Sequence, residues 1–179
     1  MLHLKKFALG LLAVLFVSLA VPVCADLSKE DEREVNNYQL TEKKLGQFAQ
    51  ATKNLITAFE KNPEAFDNLN VPKETEAAGL TEAGELFDKI PPIKKAINDA
   101  GMTSREYWVF SISMVYAGTG HMVLKSGGKL PEGFSKANVD FYHTHEAAFM
   151  ALDADLKKFQ KLSDEKFGSD SEEGEAEEE

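Results

Sequence analysis

From Leu45 onward, apolar side chains return every three or four positions. Leu45, Phe48, Thr52, Leu55, Ile56 and Phe59 form one stripe on a helix. Thr41 is placed to cap its N-terminus, and Leu40 before it to pack on Leu45 as a hydrophobic staple. The pattern predicts a helix from about Glu42 to Glu60 that stops before Pro63, since the residue ahead of a proline is driven out of the helical region. The stretch 28–40 is charged and sparsely apolar, with Val35 and Tyr38 as its main apolar positions; a short or frayed helix is expected there.

Residues 62–101 are punctuated by Pro63, Pro72, Gly79, Gly84, Pro91, Pro92 and Gly101. That spacing calls for short helices and turns rather than one long element. Pro63 suits a first helical position. Leu86, Phe87 and Ile90 make one small apolar face, and Ile93, Ala96, Ile97 and Ala100 another. Gly101 stands where a helix end wants a left-handed residue. Nowhere is there the strict alternation or the turn-bounded β-branched run of a hairpin.

Thr103-Ser104-Arg105-Glu106 reads as a capping box, flanked by Met102 and Tyr107 as a staple. Tyr107 to Leu124 then carries no formal charge over 18 residues. A membrane span is weighed at that length, but Ser111, Ser113, Gly118, Thr119, Gly120 and His121 make a third of the run small or polar. The better reading is a central helix over 104–124, apolar nearly all round because neighbours surround it. Ser113, Ala117 and Gly120 share a side on which another helix can come close. Lys125 and Gly127-Gly128 end it. A last long helix is expected from Ser135 or Asn138 to about Leu162, striped by Phe141, His145, Phe149, Leu152, Leu156 and Phe159. Three long helices with two or three short ones imply an all-α fold, a single helical bundle around one core.

The two ends of the chain read differently. Lys5 and Lys6, the apolar run from Phe7 to Ala20, and Pro22 before Val23-Cys24-Ala25 have the three parts of a secretory signal peptide, 1–25, cut after Ala25. The expected localisation is periplasmic or secreted, with nothing spanning a membrane after cleavage. A lipoprotein cysteine at Cys24 is disfavoured because Pro22 and Val23 precede it. Seven of the twelve residues 168–179 are acidic, so this segment is expected to be a disordered acidic tail after a helical-bundle domain over 26–167.

Composition narrows the chemistry. The chain has 179 residues, 43% of them hydrophobic, enough for a packed core. Its formal net charge of −10 argues against a nucleic-acid surface. Cys24 is the one cysteine, and cleavage after Ala25 would remove it. The mature chain then has no thiol nucleophile, no thiol redox couple and no iron–sulfur ligands. Gly118-Thr119-Gly120 lacks the third glycine of a dinucleotide loop, and Gly128-Lys129-Leu130 lacks the Ser or Thr of a phosphate loop. His145-Glu146 is not followed by the second histidine of a zinc-protease helix, and Asp153-Ala154-Asp155 runs into Leu156-Lys157-Lys158, which breaks a calcium loop.

What remains is a histidine and carboxylate cluster. Asp140, His143 and Glu146 follow one another at three-residue steps and share a helix face. With a ligand from another helix, they are candidates for a divalent metal, or the region for haem. His143 and His145, two apart, point in opposed directions on a helix. His145 lies in the apolar stripe and is expected to point inward with His121, where the pair would flank a buried ligand. The plainer alternative makes His145 a core histidine with one hydrogen-bond partner and His143 a solvated one. Tyr107, Trp108, Phe110 and Tyr116 are either the lining of a pocket or simple core.

Leu40-Thr41-Glu42-Lys43-Lys44, Gly101 to Tyr107 and Asn138-Val139-Asp140-Phe141 resemble segments of a group of exported bacterial all-helical proteins. The resemblance implies export and helical content; it carries no activity and no site. The leading functional expectation is an exported, non-catalytic helical protein of the bacterial cell envelope that binds a partner protein or a small apolar ligand, without a cofactor. A metal- or haem-binding bundle using the 140–146 cluster is the first alternative. A hydrolase of the envelope with unrecognised carboxylates is the second.

Overall fold

The computed structural model describes residues 27–66 and 79–167. The expected signal peptide 1–25, the acidic tail 168–179 and the segment with Pro72 lie outside the described residues. Among these the chain is all-α: α1 (Lys29–Asn37), α2 (Glu42–Lys61), a 3-10 turn (Pro63–Phe66), α3 (Leu80–Asp88), α4 (Pro91–Asp99), α5 (Ser104–Lys125), α6 (Lys136–Thr144) and α7 (Glu146–Phe167). No described helix is long and apolar enough to cross a membrane.

The helix starts follow from their caps. The Thr41 hydroxyl accepts from Lys44 N–H at 3.3 Å, and the Thr103 hydroxyl from Glu106 N–H at 3.1 Å. Gly101 takes φ +79° after α4, and its carbonyl accepts from Gln47 Nε2 on α2. The second half of the expected capping box is absent. The Glu106 carboxylate accepts from Tyr38 OH and pairs with Lys44 Nζ, because those partners arrive from other helices.

α5 is the centre. From Tyr107 to Met114 every residue is buried, which explains why the sequence shows no polar face there. α5 packs against α6, α3 and α1, while α2 packs against α4 and α7. Phe48 of α2 stacks on Tyr107 and Phe110 of α5 at 4.4 and 4.6 Å between ring centroids. Phe87 of α3 meets Trp108, and Phe59 of α2 meets Phe66 and Phe159 of α7. Tyr107, Trp108 and Phe110 are therefore core, and the half-buried Tyr116 stacks on Phe134. Buried Asp31 ties three helices together: it pairs with Arg105, accepts from Leu80 N–H and meets the Ser28 cap of its own helix. Arg105 also pairs with Glu34.

The expected last helix is two helices. It breaks at His145, whose φ of −112° and ψ of 20° leave the helical region. The His145 ring reaches back to the Phe141 carbonyl at 2.9 Å through Nδ1 and across to Glu42 of α2 at 3.3 Å through Nε2. Side-chain bonding to the preceding turn and to another helix competes here with continuation.

Candidate metal centre

Glycine brings the two elements of the site together. A Cβ on Gly120 would stand 2.7 Å from Val139 Cγ2, and one on Gly118 3.2 Å from the Tyr142 ring. With no side chain at either position, α6 lies directly against α5. The α5–α6 contact is closely filled here: Val139 and Ala117 are buried, and Leu130 and Phe134 close over Gly120.

This approach sets His143, in the last turn of α6, beside His121 of α5. Their rings stack with centroids 5.0 Å apart and planes at 23°. The turn at His145 then starts α7 with Glu146. One ligand atom each from His121, His143 and Glu146 lies within 4.8 Å of the other two. His121 Nε2 is buried, has no hydrogen-bond partner and faces Glu146 Oε1 at 3.9 Å. A buried polar nitrogen left without a partner is costly and calls for an explanation. Lys125, one turn beyond His121, holds its ammonium 4.0 Å from the same Glu146 oxygen.

Of the five residues singled out from the sequence, the structure thus joins His121, His143 and Glu146. Asp140 is not among them: its carboxylate pairs with Lys136 at 2.6 Å on the exposed face of α6. His145 does not point inward with His121. Its ring stacks on Phe141 at 4.0 Å and turns to Glu42. The Phe141 carbonyl, and then the Glu42 carboxylate, raise its pKa above the ordinary imidazole value. Lys125, legible in the sequence only as a helix-ending residue, follows His121 by four positions and so shares its face of α5.

Two imidazole nitrogens and one carboxylate oxygen suit a borderline transition-metal ion. They do not suit calcium or magnesium, which take oxygen ligands throughout. Tetrahedral bonds of zinc-like length put ligand atoms about 3.3 Å apart. The three donors must therefore draw in somewhat, which the exposed His143 and half-exposed Glu146 side chains allow. Set against known protein families, curated proteins and solved structures, the chain matches none of them.

Proposed function

We propose that this exported helical protein binds a transition-metal ion through His121, His143 and Glu146. The observation that carries the reading is the buried, unpartnered His121 Nε2, aimed at a carboxylate oxygen with a second imidazole stacked beside it. A metal would satisfy that nitrogen. The glycine-mediated contact between α5 and α6 supports this reading over an apolar ligand lodged between those helices, because Val139, Leu130, Phe134 and Tyr142 fill the space. The three donors come from three helices, so a bound ion would also tie α5 to the α6–α7 junction. Export fits the signal-like residues 1–25, and loss of Cys24 would leave nitrogen, carboxylate and thioether donors alone.

The test is metal analysis and titration of protein purified without a histidine tag. One equivalent of bound ion is expected, with a rise in melting temperature that chelator reverses. His121→Ala, His143→Ala and Glu146→Gln should each weaken binding at least tenfold, and Asp140→Asn should not. Absence of stoichiometric binding, or binding untouched by His121→Ala, would refute the reading.

A further inference from the structure

The charge around the cluster and the side chains at its rim narrow the choice of ion. The donor set carries one negative charge, on Glu146. That charge already faces the Lys125 ammonium at 4.0 Å. A divalent ion would leave two excess positive charges beside one another in the cluster, and a monovalent ion one. Hard divalent ions are disfavoured further by the two imidazoles.

The rim supplies the other half of the argument. Among the described residues, the large apolar side chains left exposed are Met122, Leu124 and Met150, at 48%, 41% and 65%. Two of the three are thioethers, and all three stand on the two helices that carry His121 and Glu146. Met150 lies one turn beyond Glu146 on the same face of α7. Helical side chains lean toward the N-terminus of their helix, so Met150 covers the turn that bears Glu146. Its three rotatable bonds let the sulfur swing toward a bound ion. Met122 follows His121 by one residue and so points about 100° away from it.

Building on the metal-binding reading above, we infer that the site takes copper(I), with the Met150 thioether joining His121, His143 and Glu146. Thioether sulfur is a soft donor that favours copper(I) and adds little to zinc(II). Of the two exposed methionines among the described residues, Met150 is the one whose helical position, four residues after Glu146, places it on the ligand-bearing face.

Two titrations decide the question: copper(I) against a colorimetric copper(I) chelator without oxygen, and zinc(II) against a zinc indicator. Each is run on the unaltered protein and on Met150→Leu, Met122→Leu, Lys125→Gln and His121→Ala. Met150→Leu lies on the surface and should melt as the parent does. Expected results are a tenfold or greater loss of copper(I) affinity in Met150→Leu, with zinc(II) affinity within twofold of the parent and Met122→Leu unchanged for both ions. Lys125→Gln should tighten zinc(II) more than copper(I). X-ray absorption of the copper(I) form should show a sulfur neighbour that Met150→Leu removes. Zinc(II) binding without copper(I) binding, or copper(I) affinity unmoved by Met150→Leu, would overturn the copper(I) assignment while leaving the three-residue site standing. Failure of both ions to bind, or binding that persists in His121→Ala, would overturn the site as well.

Discussion

Exchanging Gly120 for alanine sets two opposing magnitudes against each other. Within a helix, alanine is favoured over glycine by about 1 kcal/mol. At position 120, however, the new methyl would meet Val139 Cγ2 at 2.7 Å, Leu130 Cδ1 at 2.9 Å and Phe134 Cδ1 at 3.2 Å. Val139 is β-branched, stiff at χ1 in its helix and 1% exposed, so it cannot swing aside. α6 must shift outward instead, and overpacking of this kind costs about 1–3 kcal/mol. The steric cost wins, and Gly120→Ala should destabilise the protein by up to roughly 2 kcal/mol. Gly46 is the internal control: it is exposed on α2, and a Cβ there meets nothing within 4 Å. Gly46→Ala should stabilise by about 1 kcal/mol. Urea unfolding followed by far-UV circular dichroism measures both, with an unchanged m-value showing that stability alone has moved. Because Gly120 adjoins His121, displacement of α6 should also carry His143 away. Metal affinity should therefore fall in Gly120→Ala and hold in Gly46→Ala. If Gly120→Ala proves as stabilising as Gly46→Ala, α5 and α6 do not meet as described, and the account of how His143 reaches His121 fails.

Three further outcomes follow from the core. Phe48→Ala empties the space between the Tyr107 and Phe110 rings and should cost about 3–5 kcal/mol in denaturant unfolding; a loss under 1 kcal/mol would mean the aromatic stack is not central. Arg105→Ala leaves the buried Asp31 carboxylate with only Ser28 and Leu80 N–H. It should cost about 2 kcal/mol, less than a fully buried pair because the Arg105 side chain is 36% exposed; adding Asp31→Asn should recover part of that loss if the unpaired charge is its cause. Burial pushes the Tyr107 phenol from 10.0 to about 12, against a smaller opposing effect of its contact with Thr52. A raised folded-state pKa makes its contribution complete below pH 10 and lost as pH climbs toward 12. The stability of the parent should therefore fall more steeply than that of Tyr107→Phe across this window, by roughly 3 kcal/mol in total; parallel curves would refute the assignment.

Much of the helical framework is legible from local spacing. α2 and α5 begin at the capped residues and end within a residue of the expected boundary, because a threonine cap and a glycine or proline stop act over three or four residues. Glu106 shows where that logic ends. Its position suited a cap, yet Tyr38 and Lys44 hold its carboxylate, and neither is near it in sequence. The break between α6 and α7 is of the same kind. No proline or glycine marks it; part of its cause is Glu42, 103 residues away from His145.

The candidate site divides along this line too. His143 and Glu146 were legible as a pair on the assumption of one continuous helix, where a three-residue step shares a face; they still meet across the break at His145. Choosing His121 as their partner, and leaving out Asp140 and His145, depended on how closely two helices approach. The break at His145 apart, the amino-acid order alone determined where the long helices run and which faces are apolar, because those properties depend on hydrogen bonds and side-chain spacings within one or two turns. Tertiary packing decided which polar groups meet. That outcome rests on bare glycine backbone at 118 and 120 admitting α6, and on an imidazole drawn off to a carboxylate of α2.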